Sequence, residues 1–231
     1  MNEIVEGFSQ AGNLIITLNP DLLQIAALSL YVSLCATILA AGITIPLGGF
    51  IHFREFRGKQ ALITLIQTLY SIPTVIVGLL IYFLLSRSGP LGFLGLLYSP
   101  EGMILGQAVL IMPIILGLVI TALSGISRNI RDTIVSLGAT EFQGILEIIR
   151  EARFAIVGGV ILGFGRAISE VGVAMMIGGN IRGETRVLTT AIMLGTGMGE
   201  FSLAFALGVI LLAISMMVVI LMKFISRRYE P

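Results

Sequence analysis

The chain has 231 residues, of which 56% are hydrophobic and only 12% charged, about half the charged share of a soluble domain. Its mean hydropathy of +1.03 excludes a soluble fold, whose surface must be polar, and predicts an all-α integral membrane protein. The net charge of +1 provides no global field for nucleic acid, and the single cysteine, Cys35, cannot form an internal disulfide.

The first twenty residues carry no Lys or Arg, so the basic region that opens a secretory signal is not found. The spacing of Val5, Phe8, Gly12 and Ile15 fits a short amphipathic helix on the membrane surface; a disordered terminus is the alternative. Uncharged runs then mark the spans: Leu22 to Ile51, Gln60 to Ser86, Gly102 to Ser127 and Phe201 to Met222. Each exceeds the roughly 20 residues needed to cross a bilayer. A further run, Phe154 to Gly178, has the length but contains Arg166 and Glu170. The reading is one transmembrane domain over residues 1–231 with about five spans, at 22–51, 60–86, 102–124, 154–178 and 201–223. The stretch SGPLGFLGLLYSP (88–100) is too short to cross and reads as an interfacial or re-entrant loop. Pro46, Pro73 and Pro113 lie within the first three spans, where each removes a backbone donor and is expected to kink its helix.

Ten cations (Arg54, Arg57, Lys59, Arg128, Arg131, Arg150, Arg153, Lys223, Arg227 and Arg228) fall on one side of this topology. Arg87, Arg182 and Arg186 fall on the other. The bias places the N-terminus outside and the C-terminus in the cytoplasm. The connection at about 125–153 is amphipathic, with Ile130, Ile134, Val135, Leu137, Phe142, Ile145, Leu146 and Ile149 among charges. It predicts a helix, a break at Gly138 and a second helix. Its apolar face needs a partner, either a soluble protein or its own membrane domain.

No G-x-x-x-x-G-K-[ST] occurs, and His52 has no companion at metal-ligand spacing. The chain is therefore expected to hold no catalytic centre, no metal and no cofactor of its own. Arg166 and Glu170 stand at i and i+4, so they lie on one helix face and can pair. The pair either locks helices together at a dimer core, or borders a pathway in which Arg166 attracts an anion and Glu170 limits its binding or acts in gating. A misjudged depth in the membrane, or an extramembrane turn, is the third reading. Gly159 and Gly163 make a G-x-x-x-G pair that serves either dimerisation or packing within one subunit. Beyond it, GNIRGETRVLTTAI (179–192) presents cations and hydroxyls. These steer an anion, contact another protein, act in gating or are simply solvated.

The string SLGATEFQGILEIIREARFAIVGGVILGFGRAISEVGVAMMIGGNIRGETRVLTTAI (136–192) resembles the membrane permeases of type I ABC importers. More narrowly it is similar to the molybdate and tungstate branch, above all the tungstate permeases. The general motif of that family is E-A-A, three residues, G, nine residues, I, one residue, L-P. Gly138 and Ile148 hold their places, while Asp132, Thr133 and Ile134 stand for E-A-A and Arg150 and Glu151 for L-P. The I-R-E-A-R, S-E-V-G, G-G-N-I and L-T-T-A-I elements carry the narrower likeness. The sequence ends at SRRYEP, without the regulatory extension of some molybdate permeases.

The resemblance implies a multi-pass permease of a prokaryotic cell membrane, working as a homodimer. Separate ATP-binding subunits, holding ATP and magnesium, would dock on the cytoplasmic loop, and an extracytoplasmic protein would deliver the oxyanion. It implies coupling residues Asp132, Ser136, Leu137, Gly138, Ala139, Thr140 and Phe142. It also implies pathway or gate residues Arg166, Ser169, Glu170, Asn180, Arg182, Thr185 and Arg186. Permeases for phosphate, sulfate or methionine share the architecture and remain alternatives. An ion-coupled secondary transporter is disfavoured, since such proteins usually show more spans and internal repeats.

Overall fold

The computed structural model describes residues 2–17, 20–127, 133 and 136–227, and every regular element among them is helical. Helix α1 (Asn2–Ile16) occupies the N-terminal stretch. Gly7 lies against the Phe205 ring, and Phe8 meets Phe205 edge to face at 5.2 Å. The N-terminus is thus helical and docked, not disordered.

Helix α2 (Pro20–Phe53) runs unbroken through Pro46. Three of its buried hydroxyls donate back to the helix's own carbonyls. Ser29, Thr37 and Thr44 donate to the carbonyls of Ile25, Ser33 and Ala40 at 2.6–2.7 Å, so burial leaves those donors satisfied.

The predicted span 60–86 is two helices, α3 (Lys59–Thr68) and α4 (Thr74–Leu85), bent by 98°. Pro73 is the cause. A residue before proline is pushed out of the helical region, and Ile72 is extended, with ψ 130°. Residues 86–99 form turns around a short 3₁₀ segment, Gly92–Leu94. The Tyr98 N–H ties this loop to the Ile177 carbonyl at 2.8 Å.

Helix α5 (Pro100–Ser124) is capped by the Ser99 hydroxyl, which accepts from the Gly102 N–H at 3.1 Å. It too continues through its proline, Pro113. It is the most enclosed of the long helices. Ile111, Ile115 and Val119 pack with Ala36 and Ala40 of α2 and with Ile148, Ile156 and Ala167. The Oε1 atom of Gln107 is buried in this helix without a hydrogen-bond partner.

After the long connection come α6 (Glu141–Glu151), α7 (Arg153–Ile168) and α8 (Gly172–Gly178). The predicted span 154–178 is therefore also broken, with α7 and α8 at 58°. Helix α9 (Leu188–Gly197) was not expected; at ten residues it is too short to cross and its threonines read as loop. Helix α10 (Phe201–Arg227) closes the chain. Three helices, α2, α5 and α10, are long and apolar enough to span alone, and each bent pair would add one.

In lipid the hydrophobic drive between helices is absent, so close packing decides the contacts. A Cβ on Gly163 would lie 2.6 Å from the Ile115 side chain, and one on Gly159 would lie 3.0 Å from Leu118. The G-x-x-x-G pair therefore packs α7 onto α5 within one subunit. The outward faces stay apolar: Leu79, Leu80 and Phe83 of α4 are exposed, as are Leu212, Met216 and Ile220 of α10.

Candidate functional site

Three of the predicted pathway residues, Arg166, Ser169 and Glu170, lie at the break between α7 and α8. The expectation of one continuous helix face is corrected, because α7 ends at Ile168. The Ser169 hydroxyl bonds back to the carbonyls of Gly165 at 2.8 Å and Arg166 at 3.2 Å, a local alternative to the helix ladder. The charges pair nonetheless, with Arg166 Nη2 3.2 Å from Glu170 Oε2. The Glu170 side chain is 1% exposed and that of Arg166 39%. The other Glu170 oxygen, Oε1, accepts from the Val173 N–H at 3.2 Å. An unpaired charge deep in a bilayer costs roughly 2.5–3.5 kcal/mol on insertion scales. Here a cation and a freed backbone donor offset that cost.

The two helix breaks touch. A Cβ on Gly172 would lie 3.0 Å from Thr74 Oγ1 and 3.3 Å from Glu170 Oε1. Thr74 opens α4, directly after the Pro73 bend. The start of α4 and the α7–α8 break thus meet at Gly172, next to the Glu170 side chain. A third element reaches the backbone of the same residue: Thr189, in the first turn of α9, donates its hydroxyl to the Glu170 main-chain carbonyl at 2.9 Å.

The remaining predicted pathway residues form a second cluster in the loop 179–187. Gly179 and Asn180 turn the chain with φ of 71° and 54°, a region asparagine tolerates better than most residues. Thr185 is fully buried. Its hydroxyl donates to the Gly178 carbonyl at 2.5 Å and accepts from the Ile181 N–H at 3.0 Å. Arg186 donates from Nε to Asn180 Oδ1 at 3.2 Å, and Arg182 pairs with Asp21 at the start of α2. The loop is fastened to α2 twice more. Gln24 donates to the Gly183 carbonyl, and the Leu188 N–H donates to Ser29 Oγ, both at 2.8 Å. Beside it opens a cavity of about 480 Å³ lined by Asp21, Gln24, Arg182, Arg186, Glu200 and apolar residues including Leu194 and Leu207.

Asp21, Gln24, Ser29, Thr74 and Thr189 escape sequence reasoning. Each is an ordinary polar residue at the rim or interior of an apolar run, and only folding reveals its partner.

The third cluster is the polar connection. Asp132 and most of the first helix expected there lie outside the described residues. Gly138 has φ 79°, a left-handed turn that favours glycine. Exposed Ser136 and Leu137 precede it, and half-buried Ala139 follows. Thr140 then caps α6: its N–H donates to Gln143 Oε1 at 2.8 Å and its hydroxyl accepts from the Gln143 N–H at 3.4 Å, a capping box. The apolar face of α6 is divided. Ile145 and Ile149 pack on Gly49 of α2, whereas Leu137 and Phe142 are 82% and 75% exposed. Two large, exposed apolar side chains thus flank the Gly138 turn.

A kinked helical bundle with buried charges and an apolar-tipped polar loop is the architecture of a transporter membrane subunit. Residues 44–231 match the family of binding-protein-dependent transport system inner membrane components, and the chain belongs to that family. It is a multi-pass membrane protein and a permease component. It is 44% identical to the tungstate uptake system permease protein TupB of Peptoclostridium acidaminophilum, over 93% of this chain and 94% of that one. It is 41% identical to a probable anion ABC transporter permease protein of Haloferax volcanii, covering 84% and 85% of the two chains. A second TupB, from Campylobacter jejuni, is 36% identical over 93% and 90%. A solved bacterial ABC transporter involved in import of the acidic polysaccharide alginate shares the fold, with a TM-score of 0.71 at 21% identity. The match covers 95% of this chain and 84% of that one.

Proposed function

We propose that this chain is the permease of an ATP-driven importer for a tetrahedral oxyanion, tungstate or molybdate, working as a homodimer by alternating access. The observation that carries the reading is the 44% identity to a tungstate uptake permease along nearly the whole chain. ATP and magnesium belong to a separate ATPase subunit. That subunit docks on the loop tip formed by Ser136, Leu137, Gly138, Ala139, Thr140 and Phe142, where exposed apolar side chains offer anchors for a groove. Asp132 belongs to the same loop. The loop 179–187, with Asn180, Arg182, Thr185 and Arg186, faces outward and receives an oxyanion-binding protein. Arg166, Ser169 and Glu170 form the gate between the two faces. The N-terminus lies outside and the C-terminus in the cytoplasm, in line with the cation bias.

The test is co-purification from the native membrane. A P-loop ATPase is expected to accompany the chain and to be lost from the Leu137→Asp, Phe142→Asp variant while the permease stays in the membrane. Recovery of the chain without any ATPase, or equal retention by the double variant, contradicts the docking assignment.

A further inference from the structure

We infer that Thr189 is a positioning residue that transmits events at the outer loop to the Arg166–Glu170 pair. The inference rests on the transport reading above and adds a residue that the reading does not contain. In a continuous helix the Glu170 carbonyl would accept from the backbone N–H four residues on. At the break, the Thr189 hydroxyl donates to it at 2.9 Å. Thr189 is itself buried, at 6% exposure, so this bond is shielded from competing water.

What makes the bond a transmission point is its place in a chain of contacts. The outer loop is fastened to α2 by Arg182 to Asp21 and Gln24 to Gly183. The backbone N–H of Leu188, the residue before Thr189, is held by Ser29. Thr189 then grips the carbonyl of the same residue whose carboxylate holds Arg166 and the Val173 N–H. Displacing the loop shifts the start of α9. That start is joined through one hydroxyl to Glu170, the residue at the α7–α8 break. Neighbouring Thr190 behaves differently: its hydroxyl donates to Val187, within its own turn, at 3.0 Å. Of these two threonines only Thr189 reaches the break.

The experiment uses the permease with its co-purified ATPase in nanodiscs, and measures ATP hydrolysis with and without the tungstate-loaded binding protein. Thr189→Val keeps the shape and removes the donor; Thr189→Ser keeps the donor. Thr189→Val is expected to retain basal hydrolysis while stimulation by the loaded binding protein falls at least about 5-fold, the lower edge of typical coupling between sites. Thr189→Ser is expected to stay within about 2-fold of the parent, less than that coupling edge. Normal stimulation of Thr189→Val overturns the inference. So does equal failure of Thr189→Ser, which would assign the effect to packing of the methyl group. If the parent complex itself shows no response to the binding protein, the transport reading falls, and the inference with it.

Discussion

Glu170 and Arg166 are paired but not equivalent. Glu170 is enclosed, with a backbone N–H as its second partner, while Arg166 is part-exposed at 39% of its side chain. Removing one member of a fully buried pair typically costs about 3–5 kcal/mol because the other charge is stranded. Arg166→Ala strands the enclosed carboxylate and is predicted to cost more than Glu170→Gln, which leaves a guanidinium free to turn toward its open side. Thermal unfolding of the purified variants in detergent checks the order; a less stable Glu170→Gln contradicts it. Arg166→Leu combined with Glu170→Leu separates structure from transport. If the pair is the gate, the double variant assembles yet does not transport; full uptake by it would leave the pair a purely structural lock. At this scale the sequence is legible in part. The i, i+4 spacing of the two charges in an apolar run announces a pair. Its setting at a helix break does not show, since S-E-V-G contains no proline and the break depends on Ser169, Val173 and Thr189 finding partners.

At the scale of elements, the apolar runs locate the helices because each must satisfy its own backbone in lipid. The internal bends are less readable. Pro46 and Pro113 leave α2 and α5 unbroken, whereas Pro73 sits at a 98° bend. All three remove a donor, but of the three preceding residues only Ile72 leaves the helical region. Beyond that bend Gly78 of α4 seats against Val173 and Met176 of α8. Helix α9 stays hidden because its ten residues carry the same threonines that read as loop. Gly138 is the element-level test for the loop. Its φ of 79° makes any side chain there strained, so Gly138→Leu is predicted to remain in the membrane while ATP hydrolysis no longer drives uptake. Coupled transport at the parent level in that variant contradicts a docking role for the turn.

At the scale of the whole molecule, the described bundle leaves apolar faces on α4 and α10, which lipid or a second copy must cover. Ten cations against three set the predicted orientation. A tag at the N-terminus is expected to be accessible from outside and one at the C-terminus from the cytoplasm; both on one side contradicts the five-span topology. Reconstituted uptake is the direct test of ATP-driven import of a tetrahedral oxyanion through this chain. Proteoliposomes would carry the permease and its ATPase, with ATP and magnesium inside or omitted and the loaded binding protein outside. The account predicts accumulation of tungstate or molybdate that requires ATP and is abolished by Arg166→Ala. Accumulation of neither oxyanion, or uptake that proceeds equally without ATP, would contradict it.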